Sequence, residues 1–87
     1  MIYAMAKYSF DSDKNVFGPF STHDEAWNYI EKMADKEYRI DTEENGWSTN
    51  IEKDKTCYEI IIKNFFEHDV VDTTEFFVFD IDNTKLI

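Results

Sequence analysis

The chain has 87 residues, of which nineteen are Asp or Glu and nine are Lys or Arg, giving a formal net charge of −10. It also contains eight Phe, five Tyr and two Trp. Disordered acidic segments carry few aromatic side chains, so we expect a folded protein. The negative charge repels phosphates and anionic lipids, which excludes nucleic acids and membrane surfaces as expected direct partners.

The length and the cysteine content indicate one small domain in a reducing compartment. The chain is long enough for a single hydrophobic core, and we expect one domain spanning residues 1–87. Cys57 is the only cysteine and cannot form an internal disulfide bond. No apolar run approaches the length of a membrane span, and the apolar residues at the start are too few for a signal peptide. We therefore expect a cytoplasmic protein.

The N-terminal segment predicts a strand that ends in a turn. Residues Ile2 to Phe10 alternate between the two faces of a strand, and Asp11 to Asn15 is rich in side chains that bond nearby backbone groups. Gly18-Pro19 interrupts the extended run that follows. We therefore predict no second strand before the helix.

The clearest local signal marks a helix. Thr22 and Glu25 have the spacing of a capping box, and Asn45-Gly46 is typical of a helix stop. The helix should therefore extend from about His23 to about Glu44. Its apolar stripe consists of Ala26, Trp27, Ile30, Met33, Ala34 and Tyr38.

The C-terminal half predicts a β-hairpin, with Thr56 to Phe66 and Val70 to Ile81 as strands around Glu67 to Asp69. Residues 46–55 alternate briefly but are mostly polar, so we interpret them as a loop. The fold class is therefore α+β. We expect an antiparallel sheet of three strands, or four if residues 46–55 form one, with one helix packed on one face in the order β-α-β-β.

Alternation along the strands assigns the apolar side chains to two sheet faces. The face under the helix should contain Ile2, Ala4, Tyr8, Tyr58, Ile60, Ile62, Phe77 and Phe79. One helix covers one face, so the other face should bind a protein partner or a second copy, unless residues 46–55 or the C-terminal tail cover it. The binding residues predicted on this second face are Tyr3, Met5, Ile61, Phe65, Phe76 and Val78.

One segment resembles a catalytic motif. Phe76 to Thr84 is similar to the first motif of the haloacid-dehalogenase family, an apolar strand that ends in Asp-x-Asp-x-Thr. The resemblance implies Asp80 as nucleophile, Asp82 as general acid/base and Mg²⁺ between carboxylates. That family places the motif early in a much longer doubly wound fold, whereas three residues follow Thr84 here. We therefore expect no enzymatic activity, no catalytic residue and no cofactor.

A metal site is not expected either. His23 and His68 have no second ligand at metal-binding spacing, and Cys57 has no neighbouring cysteine with which to form a CxxC pair.

The acidic excess lies in two segments. Residues 21–45 contain eight acids and three bases, and residues 56–87 contain seven acids and two bases. The simplest interpretation is a solvated surface on a non-enzymatic protein-interaction module. The alternative is an acidic inhibitor of the kind that phages and mobile elements encode, which mimics phosphate and occupies a nucleic-acid-binding groove. Its contact residues would be Asp41, Glu43 and Glu44.

Overall fold

A computed structural model describes residues 1–9 and 14–81 of the chain. Five antiparallel strands form one sheet in the order β2-β1-β5-β4-β3. In these residues no helix is long and apolar enough to cross a bilayer. The elements in chain order are β1 (Ile2–Tyr8), β2 (Lys14–Phe20), α1 (His23–Arg39), a π-helical turn (Ile40–Glu44), β3 (Ser48–Asp54), β4 (Glu59–Phe66) and β5 (Asp69–Asp80).

In the described residues, the α+β class, the single α-helix and the C-terminal hairpin are confirmed. These residues form five strands rather than three or four, and the order is β-β-α-β-β-β. The two additional strands, β2 and β3, lie at the two edges of the sheet. Of the turn expected at residues 11–15, residues 11–13 lie outside the described residues, and Asn15 belongs to β2.

Strand β2 contains Gly18-Pro19, which the sequence pattern alone indicates as a break. Because β1 is the only strand that pairs with β2 in the part of the chain that the structure describes, Pro19 does not have to donate a hydrogen bond to a second neighbour. Gly18 has a φ of +127°, and a Cβ at this position would lie 3.1 Å from both the carbonyl oxygen of Ile2 and the Tyr3 ring. A glycine is therefore required where the edge strand passes close to β1.

Both ends of the helix follow the sequence signals. The Thr22 hydroxyl accepts a hydrogen bond from the backbone N–H of Glu25 at 3.1 Å, and the Glu25 carboxylate accepts one from the N–H of Ser21 at 3.1 Å. After Arg39 the chain continues through the π-helical turn. It leaves this turn at Asn45 and at Gly46, whose φ is +67°.

The helix packs its apolar stripe across one face of the sheet. Tyr38, which the periodicity assigns to the stripe, is 41% exposed. Met33, Tyr8, Tyr58 and Val78 are partly buried against the core. The core itself consists of Ala4, Ala6, Trp27, Ile30, Ala34, Ile60, Ile62 and Phe76.

A β-bulge close to the β4–β5 turn shifts the register of the hairpin. Phe65 pairs with Val70, whereas the preceding residue, Asn64, pairs with Asp72. Val71 therefore has no partner on β4. A single extra residue of this kind exchanges the two faces of a strand beyond the bulge, because side chains alternate with a period of two.

The bulge corrects the predicted core. Phe76 lies opposite Ile60 and is fully buried, whereas Phe77 and Phe79, which we predicted under the helix, are on the other face. An unbulged hairpin would place Glu75 opposite Ile60. Burying that carboxylate among apolar side chains costs several kcal/mol, so the sequence of β5 favours the bulged register.

The turn between β4 and β5 adopts a backbone conformation that its residues do not favour. Glu67 and His68 have φ values of +51° and +72°. A two-residue hairpin turn of type I′ requires positive φ at both central positions, and Asn-Gly is the preferred sequence. The observed Glu-His pair therefore holds conformational strain at an exposed tip.

The register shift predicts different costs for two adjacent phenylalanines. Phe76→Ala should lower the free energy of unfolding by about 3–5 kcal/mol, because it leaves a cavity in the core. Phe77→Ala removes a half-buried ring on the opposite face and should cost about 1 kcal/mol. Urea unfolding followed by circular dichroism measures both. A larger loss for Phe77→Ala than for Phe76→Ala would contradict this register, because it would show that Phe77 is the core residue.

Relieving the strained turn should stabilise the fold. The double variant Glu67→Asn, His68→Gly should raise the free energy of unfolding by about 1 kcal/mol, since both residues tolerate positive φ. The matched control, Glu67→Gln with His68→Gln, removes the same charge and imidazole but keeps the unfavourable conformation. Equal midpoints of thermal unfolding for the two double variants would show that the strain is absent.

Candidate interaction surface

One face of the sheet carries no helix in the described part of the chain, and it is rich in apolar side chains. We call it the open face and define it by its six half-buried apolar residues. Four of them, Tyr3, Met5, Ile61 and Phe65, are among the binding residues predicted from the sequence. The full set is Tyr3, Met5, Ile61, Phe65, Phe77 and Phe79.

Two predicted members of this face are wrong. Phe76 is a core residue with no exposed surface, and Val78 packs against the core under the helix. The bulge in β5 is the cause, because it turns Phe77 and Phe79 to the open face in their place.

The apolar residues form a continuous area across β2, β1 and β5. The rings of Tyr3 and Phe79 stack with their centroids 6.0 Å apart. Met5 lies between Phe77 of β5 and Val16 of β2, and Val16 is 54% exposed. An apolar area of this kind on a small acidic protein is typical of an interaction surface.

The charges among these apolar residues balance each other. The inner strands β1, β4 and β5 contribute four charged side chains to the open face, two lysines and two glutamates. Lys7 and Glu75 are direct cross-strand neighbours. The net charge of −10 is therefore carried by residues other than Lys7, Lys63, Glu59 and Glu75.

Residues 46–55 do not cover the open face. Their main part, Ser48–Asp54, is strand β3, which extends the sheet beside β4 instead of folding over it. The predicted loop is wrong, and with it the suggestion that this segment shields the apolar residues. The C-terminal tail, residues 82–87, lies outside the described residues.

The residues of the dehalogenase-like motif occupy the end of β5. The Asp80 carboxylate accepts a hydrogen bond from the amino terminus of Met1 at 3.3 Å. Asp82 lies outside the described residues. Cys57 is exposed in the turn between β3 and β4. Within residues 1–9 and 14–81, no group of three or more His, Cys, Asp or Glu side chains could hold a metal ion.

The acidic candidate surface loses one of its three predicted residues. Asp41 is only 5% exposed, and its carboxylate accepts a hydrogen bond of 2.7 Å from the side-chain amide of Asn64. Asn64 in turn accepts one of 2.7 Å from the Thr49 hydroxyl. Asp41 is therefore part of a buried polar chain and cannot contact a nucleic-acid-binding groove. Glu43 and Glu44 are exposed.

Two carboxyl groups at this end of the helix have perturbed pKa values. Burial raises the pKa of Asp41, although the hydrogen bond from Asn64 opposes this effect. Burial also raises the pKa of Glu37, and the charges of Asp41 and Asp72 raise it further. The ionised forms of both groups are therefore less favourable in the folded than in the unfolded chain.

Sequence reasoning did not identify this polar chain. The three residues lie on the π-helical turn, β3 and β4, far apart in sequence. The only signal was a polar residue at position 64, where the alternation of β4 requires an inward side chain.

Comparison with known proteins does not identify a family for the chain. No protein-family model matches it, and no curated protein or solved structure shows significant similarity to it. A functional assignment therefore depends on the surfaces described above.

Two substitutions of Asp41 should have opposite effects. Asp41→Asn retains an acceptor for Asn64 and should leave the fold as stable or more stable at neutral pH. Asp41→Ala leaves the buried amide of Asn64 without an acceptor and should cost about 1–3 kcal/mol. Chemical unfolding at pH 7 measures both, and equal losses would contradict a hydrogen-bonding role for the Asp41 carboxylate.

The raised pKa values also predict a pH dependence. A carboxyl group whose pKa is raised on folding makes the fold less stable as the pH rises through the folded pKa. The advantage of Asp41→Asn over the wild type should therefore be greatest at neutral pH and shrink on acidification. The same variant should lower the pKa of Glu37, which NMR titration of its side-chain carboxyl carbon measures. An unchanged Glu37 pKa would show that the two groups do not interact.

Proposed function

We propose that this chain is a non-enzymatic protein-interaction module that binds a protein partner or a second copy of itself through the open face. The observation that carries the proposal is the set of six half-buried apolar side chains on a face that no helix of the described residues covers. Soluble proteins rarely expose a large contiguous apolar area unless it binds something.

The open face could bind another protein or a second copy of the chain, and the charge distribution favours the second copy. Two chains with a net charge of −10 repel each other over most of their surfaces. The open face is the exception, because its inner strands carry equal numbers of lysines and glutamates. In a two-fold symmetric contact, each lysine of one copy can approach a glutamate of the other. The acidic helix would then point away from the contact on both sides.

The salt dependence of binding distinguishes the proposed dimer from an acidic inhibitor that binds a basic partner. At physiological ionic strength, repulsion between exposed charges is screened over about 8 Å. A dimer formed by two strongly acidic chains through an apolar face should therefore become tighter as salt is added. An acidic surface that binds a basic partner in place of nucleic acid should lose affinity under the same conditions.

The decisive experiment replaces one of two neighbouring isoleucines of β4. Ile61 lies on the open face between Glu75 and Glu52, so Ile61→Lys should be tolerated by the fold. It should weaken self-association at least tenfold in sedimentation equilibrium. Circular dichroism should show an unchanged fold.

The matched control is Ile60→Lys. Ile60 is fully buried beneath the helix, and a lysine there should unfold the chain. Two results would refute the proposed dimer. One is a wild-type protein that stays monomeric at high concentration and high salt. The other is an Ile61→Lys variant that unfolds as completely as Ile60→Lys.

A further inference from the structure

The two edges of the sheet differ in their capacity to accept another strand. Along β2, Pro19 has no backbone N–H, and the register with β1 is irregular between Ile2 and Ala4. An added strand could not form a regular ladder along that edge. Natural edge strands are commonly protected from further pairing in this way.

Strand β3 has none of these interruptions. It pairs with β4 at seven successive positions, from Ser48 opposite Phe65 to Asp54 opposite Glu59. It contains no glycine or proline, and among the described residues β4 is its only strand partner. The N–H and C=O groups on its outer side are therefore available to another chain.

The ends of this edge are held in place by local hydrogen bonds. Before β3, the N–H of Trp47 donates to the carbonyl oxygen of Asp41 at 3.0 Å. After β3, the Asp54 carboxylate accepts hydrogen bonds from the backbone N–H groups of Thr56 and Cys57. The edge is therefore presented as an ordered strand, which lowers the entropic cost of pairing with it.

Acidic side chains flank this edge on both faces. On the open-face side, Glu52 and Asp54 are exposed, and hydrogen bonds from Thr56 and Cys57 hold the pKa of Asp54 below its usual value. It therefore stays ionised at neutral pH.

On the helix side, Glu31 and Asp35 of α1 reach over the strand to Lys53, with N–O distances of 3.3 and 3.1 Å. Two carboxylates thus share one ammonium group. Lys53 is the only basic side chain on β3 itself, so acids are in excess along the edge.

We propose that the outer edge of β3 binds an extended basic peptide segment, which adds to the sheet as a sixth strand. The backbone of β3 supplies the hydrogen bonds, and the flanking carboxylates select lysine and arginine side chains. This surface is separate from the open face, so the inference does not depend on the proposed dimer.

A second copy of β3 is the wrong occupant for this edge. Full antiparallel pairing of two copies places Glu52 opposite Asn50 and Asp54 opposite Ser48, so no basic side chain faces either acid. A basic segment instead places lysine or arginine opposite these acids, and opposite charges across a strand pair are stabilising.

The test uses a blocked seven-residue peptide in which lysine alternates with valine, titrated into the ¹⁵N-labelled protein. The largest amide shifts should lie in residues 48–54, with slower hydrogen exchange at alternate positions, and the β2 edge should be unaffected. Two further peptides carry N-methyl groups on one or the other set of alternate amides. One of the two should lose binding, because pairing uses only one set of N–H groups.

Two protein variants separate edge binding from simple attraction between opposite charges. Glu52→Lys should weaken binding of the peptide by about fivefold. Asp69→Lys changes the net charge equally on an exposed residue of β5, with β4 between it and the edge, and should have little effect. The proposal is overturned by equal losses in the two variants, by equal binding of both methylated peptides, by shifts centred outside β3, or by no binding at millimolar peptide.

Discussion

The unpaired residue Val71 determines how this small sheet divides its apolar side chains between two faces. It shifts β5 by one position relative to β4, so that Phe76 enters the core and the charged Glu75 leaves it. Because β5 is the central strand, with β1 on one side and β4 on the other, its register decides what both faces present. The helix-covered core and the open face are therefore two consequences of one bulge.

The sequence predicts those elements of the fold whose signals lie in neighbouring residues. The helix limits were predicted because Thr22, Glu25 and Gly46 act within one turn of the helix end. The hairpin was predicted because its strands alternate. The edge strands were missed: β3 is polar and β2 contains Gly18-Pro19, and both features are compatible with a strand that pairs on one side only. The parity of β5 was wrong because a bulge leaves no mark in the alternation of the strand that contains it.

The residues of the open face were likewise predicted correctly only where the signal is local. Four of its six apolar residues lie on β1 and β4, where alternation alone gives the correct face, and the other two lie beyond the bulge. The predicted set of acidic contact residues was wrong at Asp41 for a different reason. Asp41 looks like one more surface acid of the helix end, but its buried position depends on Asn64 and Thr49, which reach it only through the tertiary fold. Local patterns do not report contacts between residues so far apart in sequence.

The acidic residues are distributed unevenly over the surface of the fold. Acidic groups line the helix and the β3 edge, whereas the inner strands of the open face are neutral overall. A uniform negative surface would only keep copies of the chain apart. In the dimer that we propose, two copies approach each other through the apolar face whose inner strands carry no net charge. At the β3 edge, backbone groups alone would accept any strand, and the flanking acids are the basis of the preference for basic segments that we propose. In both proposals, charge selects the binding partner, and apolar burial supplies most of the stabilisation.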